Sequence, residues 1–336
     1  MQCWTMNQPG RDHLRLARVA VPQPNANEVL LKVQAVALNY RDKLVIEGRT
    51  SPPPTYPFTP VSDLVGTVVA QGSHARHFSH GDRVITHFVP DWIDGKPTGD
   101  ASATSFRSLA SYYPGVMAEY VVLPENWLTR APSSLDDSEA STLPIAGLTA
   151  WYALIERGQV KAGETVVIQG TGGVALFALQ FAKAHGARVI ITSSSDEKLA
   201  RAAALGADDG INRHEQDWAA AVLRLTDGAG ADHILELAGG SNFAHSLQAI
   251  ATGGRISFIG VLEGYDFSGS FAFLGRKRVT VEGSLAGSRR AQQDMVRAID
   301  RISLKPVIDT RFSFSDLPAA LARLDQGPFG KIVLTL

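Results

Sequence analysis

The chain has 336 residues, 45% hydrophobic and 19% charged, with a formal net charge of −1. That length accommodates two domains and a large core, and the near-zero charge excludes a global basic field for nucleic acid or an anionic membrane. The one cysteine, Cys3, excludes an internal disulfide or a cysteine-rich zinc site.

The first residues hold no apolar core of signal-peptide length. No apolar run approaches the roughly 18 residues of a membrane span. A cytoplasmic protein with neither nucleic-acid nor membrane partners is expected.

The first third reads as β-rich. Glu28–Ala37, Asp63–Ala70, Arg83–His87 and Ala118–Leu123 are short β-branched runs separated by Gly, Pro and Asn. Ser51–Pro60 is too rich in proline for a regular element, and Pro90–Gly115 reads as a long surface loop. Helical spacing takes over across Ser138–Glu156. From Glu164 strands and helices alternate. Strands are expected at Glu164–Gln169, Arg188–Ser193, Gly210–Asn212, His233–Ala238, Arg255–Gly260 and Arg278–Ser284. Helices are expected at Gly173–His185, Asp196–Leu205, Asp217–Thr226 and Asn242–Ile250. The alternation predicts a parallel sheet with helices on both faces, an α/β domain following a β-rich one. The tail adds helix Arg289–Arg301, a strand at Arg311–Phe314, helix Asp316–Leu324 and a last strand at Lys331–Leu336.

Between the first of these strands and its helix stands Gly170-Thr171-Gly172-Gly173-Val174-Ala175, a G-x-G-x-x-A turn. The first glycine permits the turn, the second lets a pyrophosphate approach the backbone, and the alanine lets helix pack on strand. The helix N-terminus then offers unpaired N–H groups and a positive dipole end. The alternative is a glycine-rich corner that binds nothing.

An NAD site usually ends its second strand in an acid that holds the ribose 2′-OH. Here the strand ends in Thr192-Ser193-Ser194-Ser195, with Lys198 and Arg201 just beyond. Hydroxyls and cations suit a 2′-phosphate, so NADP(H) is preferred over NAD(H). Ser194 and Glu197 alternatively form a capping box for the next helix, and both roles are compatible. Gly239 with Gly240, and Ile259 with Gly260, end two further parallel strands on the side where a dinucleotide crosses. Glycine there is also ordinary turn chemistry.

Several motifs carry a family resemblance across essentially the whole chain: Asn39-Tyr40-Arg41-Asp42, Gly81-Asp82-Arg83-Val84, Ala118-Glu119-Tyr120, Ala146-Gly147-Leu148-Thr149-Ala150 and Phe329-Gly330-Lys331. Together they resemble the medium-chain dehydrogenase/reductase superfamily, in its quinone oxidoreductase branch. The resemblance implies a GroES-like catalytic domain (1–125 and 287–336) and a Rossmann NADP-binding domain (126–286), with substrate in the cleft between them. It also implies cofactor contacts at Thr149, Ser284, Leu285 and Lys331.

In the zinc-dependent relatives, metal ligands correspond to Asn39, Ser62 and Ala146, none of which is a good donor for zinc. The Pro90–Gly115 loop, where a four-cysteine structural site would lie, has no cysteine. No zinc is therefore expected. His74, His77 and His80 are spaced for a metal but read more simply as solvated turn residues.

Without a Lewis acid, reduction of an activated acceptor is the easier chemistry. A quinone or an α,β-unsaturated carbonyl is the expected substrate, reduced with hydride from NADPH. Asn39 and Tyr40 are the expected catalytic side chains, with Asp42 orienting them or fixing the loop. Thr50 stands where some relatives carry a tyrosine, and Tyr56 is a possible replacement. Two alternatives stay open: an NAD(P)-dependent alcohol dehydrogenase, and a non-catalytic NADPH-binding sensor. The sixth strand, an apolar edge, predicts a homodimer joined through it.

Overall fold

Residues 1–50, 53–97, 99–101 and 106–336 are described by the computed structural model. Parts of the two expected loops, residues 51, 52, 98 and 102–105, lie outside the described residues. The chain divides into two compact units, Met1–Leu148 with Ala286–Leu336, and Thr149–Leu285.

The second unit is built on six parallel strands. Their order is Asp209–Asn212, Arg188–Ser193, Thr165–Gln169, Ala231–Glu236, Ile250–Phe258 and Thr280–Gly283. In chain order this is 3-2-1-4-5-6, so the direction of winding reverses between Thr165–Gln169 and Ala231–Glu236, and a ligand crevice opens there. A parallel sheet covered on both faces needs continuously apolar strands. Val166, Val167, Ile168, Val189, Ile190, Ile191, Ile234 and Leu235 are all fully buried. Trp218, Val222, Phe243 and Leu247 pack against Ile234 and Ile256 from the helices.

This unit matches the expected Rossmann fold closely, and strand Arg188–Ser193 coincides with its expected bounds. Two departures have simple causes. The fifth strand starts at Ile250 rather than Arg255, because the Gly253-Gly254 pair is spanned at a register shift rather than forming a turn. A short helix, Phe271–Arg276, was not expected; it buries no side chain and therefore lacks an apolar stripe.

The first unit holds a seven-stranded sheet. Its path runs Ile308–Ser313, Lys331–Thr335, Glu28–Leu38, Asp63–Gln71, Arg83–Thr86 and Leu128–Arg130, and Tyr120–Pro124 pairs with Glu28–Leu38. Strand Glu28–Leu38 runs between Lys331–Thr335 and Asp63–Gln71, antiparallel to both. Leu38 lies opposite Ile332, and Ala37 opposite both Val333 and Asp63. The register thus brings the end of the central strand beside Asp63 and Lys331. An antiparallel hairpin of Gln2–Thr5 with Arg15–Arg18, which was not expected, precedes the sheet. Trp4 donates its indole N–H to the Phe314 carbonyl at 2.9 Å. Cys3 beside it is buried, its sulfur 3.4 Å from Thr59 Oγ1, and burial raises its thiol pKa.

Candidate active site

Helix Gly173–Ala184 begins at Gly172 with no side-chain cap. Its first N–H groups are left to whatever lies beyond the turn. Gly170 has φ +79°, a conformation that favours glycine. Gly172 differs: its φ is −80°, and a Cβ built on it meets nothing within 4 Å. Neither backbone strain nor the fold's own packing demands glycine there. The space over Gly172 is what a pyrophosphate at this helix terminus needs. Thr171 is buried, Gly172 exposed, and Gly173 and Val174 half-buried on the same turn.

The next strand ends at Ser193, which is buried and accepts a hydrogen bond from Ser195 N at 3.3 Å. Ser195, not Ser194, is the N-cap of helix Asp196–Ala204: its hydroxyl accepts from Lys198 N at 3.3 Å. The expected Ser194–Glu197 capping box is thus displaced by one residue. Ser194 is left exposed, and Lys198 is half-buried. No carboxylate ends this strand.

At the neighbouring strand end, Glu236 is fully buried. Its carboxylate accepts from Gln169, Asn242, Ser246 and the Ala238 and Gly239 amides, between 2.5 and 3.1 Å. Gln169 Oε1 also accepts from the Leu237 and Ala238 amides. This network fixes the turn that carries Gly239. An acid inside the apolar run Ile-Leu-Glu-Leu-Ala was a visible signal that the sequence reading passed over. Gly260 serves the fold directly, since a Cβ on it would stand 1.7 Å from the Leu237 carbonyl oxygen. Ile259, beside it, donates its N–H to the Glu236 carbonyl oxygen. Ser284 is buried with its hydroxyl unpartnered, whereas Leu285 is exposed. Thr149 is buried on helix Leu148–Trp151.

In the first unit, Asn39 caps helix Tyr40–Ile46, and its backbone N–H donates to Asp42 Oδ2 at 2.8 Å. Lys331, fully enclosed at 4% exposure, donates to the Leu38 carbonyl at 2.6 Å and to Asn39 Oδ1 at 2.5 Å. Asp63 accepts from Ser62 Oγ at 2.7 Å and from the Ile145 amide at 3.1 Å. Burial pushes the Asp42 carboxyl up to about 6, against the charges of Arg41 and Lys331. Burial also raises Asp63, opposed by the Lys331 charge and the Asn39 amide, and lowers the Lys331 ammonium against the pull of both carboxylates. Arg41 reaches Ser108 and the Leu109 and Ala110 carbonyls at 3.3 Å. The structure therefore assembles Asn39, Asp42, Asp63 and Lys331 into one buried polar cluster. Nothing local in the sequence announces the Lys331–Asn39 contact, which spans 292 positions.

Tyr40 is half-buried at the helix start, with the Lys43 ammonium 5.8 Å from its ring centre. The Tyr56 hydroxyl and Thr50 Oγ1 are buried without hydrogen-bond partners among the described residues. His74, His77 and His80 are exposed, and no group of three metal-capable side chains occurs among the described residues.

The donor set around Asn39 does not fit zinc. The amide oxygen already faces an ammonium, the Ser62 hydroxyl donates to Asp63, and Ala146 has no donor atom. The second unit, by contrast, fits a dinucleotide: an uncapped helix N-terminus, an open glycine turn and the topological switch point coincide.

These features define a dinucleotide-dependent oxidoreductase architecture. Residues 173–303 match the family model of zinc-binding dehydrogenases, and residues 25–133 match that of the alcohol dehydrogenase GroES-like domain. A zinc-type alcohol dehydrogenase-like protein of Schizosaccharomyces pombe is 37% identical over 97% of this chain and 96% of its own. Human quinone oxidoreductase is 28% identical over 95% of this chain and 92% of its own. A crystal structure from Sinorhizobium meliloti 1021, assigned by name to the alcohol dehydrogenases, is 53% identical, with a TM-score of 0.97 over 100% of this chain and 98% of that one. The chain belongs to the medium-chain dehydrogenase/reductase superfamily and is an NAD(P)H-dependent oxidoreductase.

Proposed function

We propose that this oxidoreductase works without zinc and reduces quinones or α,β-unsaturated carbonyls, taking hydride from NADPH in preference to NADH. The observation that carries the reading is the side-chain set at Asn39, Ser62 and Ala146: an amide held by a lysine, a hydroxyl spent on an aspartate and a methyl group.

Each residue has a defined task in this reading. The Gly170–Val174 turn and the N–H groups behind it bind the pyrophosphate. Ser193, Ser194, Ser195 and Lys198 receive the adenosine 2′-phosphate. Thr149, Gly239, Ile259, Gly260, Ser284 and Leu285 line the rest of the dinucleotide path. The Asn39 amide donates to the acceptor oxygen of the substrate, and Tyr40 offers a phenolic proton. Asp42 holds the Asn39 backbone in place. The two units divide these tasks, one for the cofactor and one for the substrate.

NADPH and NADH oxidation across a panel of quinones and enones, with metal analysis of the same preparation, tests the proposal. NADPH-linked turnover unaffected by chelators supports it. Chelator-sensitive alcohol oxidation, as the names of several relatives suggest, would replace it with an alcohol dehydrogenase.

We also propose a cytoplasmic homodimer. Strand Thr280–Gly283 ends the sheet and, among the described residues, pairs with Ile250–Phe258 alone. A two-fold copy is a suitable partner for such an edge. A monomeric mass by light scattering would count against it.

A further inference from the structure

We infer that Lys331 is a positioning residue, whose buried ammonium sets the Asn39 side chain with its oxygen turned inward and its N–H groups left for a substrate oxygen. The inference rests on the reading of Asn39 as a substrate contact.

An asparagine amide can be turned over without changing its shape, and only its neighbours decide which end is which. Here the decision is unambiguous. An ammonium has three donors and no acceptor. The atom 2.5 Å from Lys331 Nζ must therefore be Asn39 Oδ1, because the turned-over amide would set donor against donor. The Leu38 carbonyl accepts a second Lys331 proton at 2.6 Å and so fixes the ammonium from the backbone. Asp42, which accepts from the Asn39 N–H at 2.8 Å, fixes the residue from its other side.

The opposite end of the amide faces Asp63 without a well-formed bond. Asn39 Nδ2 is buried and, among the described residues, has no acceptor in hydrogen-bonding geometry, while the Asn39 side chain lies close enough to Asp63 to favour its charged form. A buried donor without an acceptor carries a desolvation penalty, so its persistence calls for an explanation. A carbonyl oxygen that accepts from Nδ2 supplies one. As that oxygen gains negative charge during reduction, the bond to Nδ2 strengthens, and the ammonium on Oδ1 polarises the amide in the same direction. Lys331 thus acts on the reacting oxygen through Asn39 without touching it.

The test compares Asn39→Ala, Lys331→Met and the double variant in steady-state reduction of a quinone by NADPH, with NADPH affinity and thermal unfolding measured alongside. Each single variant is expected to lower kcat at least about tenfold, and the double variant to be no worse than the poorer single one, because the two residues act as a unit. NADPH affinity in Lys331→Met is expected to stay within about threefold of the parent. Losses that multiply in the double variant, or a loss in Lys331→Met confined to NADPH affinity, would overturn the inference. An inactive Asn39→Ala beside a fully active Lys331→Met would overturn it while sparing Asn39. A fully active Asn39→Ala would remove the reading beneath both. Asn39→Asp covers the case in which Lys331→Met does not fold. It keeps an acceptor for the ammonium and deletes the N–H donors, so it should fold and be as impaired as Asn39→Ala. Parental activity in Asn39→Asp overturns the inference.

Discussion

Gln169 donates its side-chain amide to the Glu236 carboxylate at 2.9 Å, tying together the ends of two adjacent parallel strands. Glu236 is fully buried, and its oxygens are satisfied by hydrogen bonds. Glu236→Ala removes the acceptor shared by five donors, of which the Ala238 amide and Gln169 keep a second partner. It should cost about 3 kcal/mol of stability, read by thermal or urea unfolding. The surviving folded fraction should bind NADPH more weakly, because the Gly239 turn loses its anchor.

Two alanine substitutions separate glycines that serve a ligand from glycines that serve the fold. Gly172→Ala meets no protein atom within 4 Å, so its melting temperature should match the parent while NADPH affinity falls at least about tenfold. Gly260→Ala puts a methyl group 1.7 Å from the Leu237 oxygen and should compromise folding itself. Unchanged NADPH binding in Gly172→Ala would show that the turn is only a corner.

Cofactor choice is tested at Ser194, which is exposed and free of the capping role taken by Ser195. Ser194→Asp places a carboxylate where a 2′-phosphate is proposed to lie. The NADPH to NADH ratio of kcat/KM should fall about tenfold or more, with stability unchanged. An unaltered ratio would move the 2′-phosphate away from the serine run.

Asp42 predicts a pH dependence of stability. Its folded pKa of about 6 lies above the ordinary carboxylate value of 3.8, so between those values the native chain binds more protons than the unfolded one. Stability from this group is complete at low pH and declines as pH rises through that window. Asp42→Asn does not titrate there. Its stability relative to the parent should rise between pH 4 and 6, by up to about 3 kcal/mol. Parallel stability curves for the two proteins would contradict this.

The sequence made most of the second unit legible because its strands and all but one of its helices declare themselves locally. Val166–Ile168 and Val189–Ile191 are apolar runs of strand length, and each is followed by a segment of helical spacing. The Gln2–Thr5 hairpin was missed because its burial rests on distant partners, such as Phe314 for Trp4. The Ser194 cap was misplaced by one residue because three consecutive serines offer equivalent hydroxyls, and only backbone geometry selects Ser195. Asn39, Tyr40 and Asp42 could be named from one short segment. The destination of the Lys331 side chain could not, because it depends on the pairing of the last strand with Glu28–Leu38.

The setting of Cys3 takes on meaning beside the proposed substrates. Quinones and enones alkylate thiolates, so an enzyme that turns them over is exposed to its own reactants. This chain carries a single thiol. It lies within the N-terminal hairpin, buried, with a pKa raised by burial and so with little thiolate to react. Folded protein held in excess quinone should keep its mass, whereas unfolded protein should gain one adduct. The packing that hides Cys3 would then act as chemical armour, letting the enzyme handle electrophiles without being consumed by them.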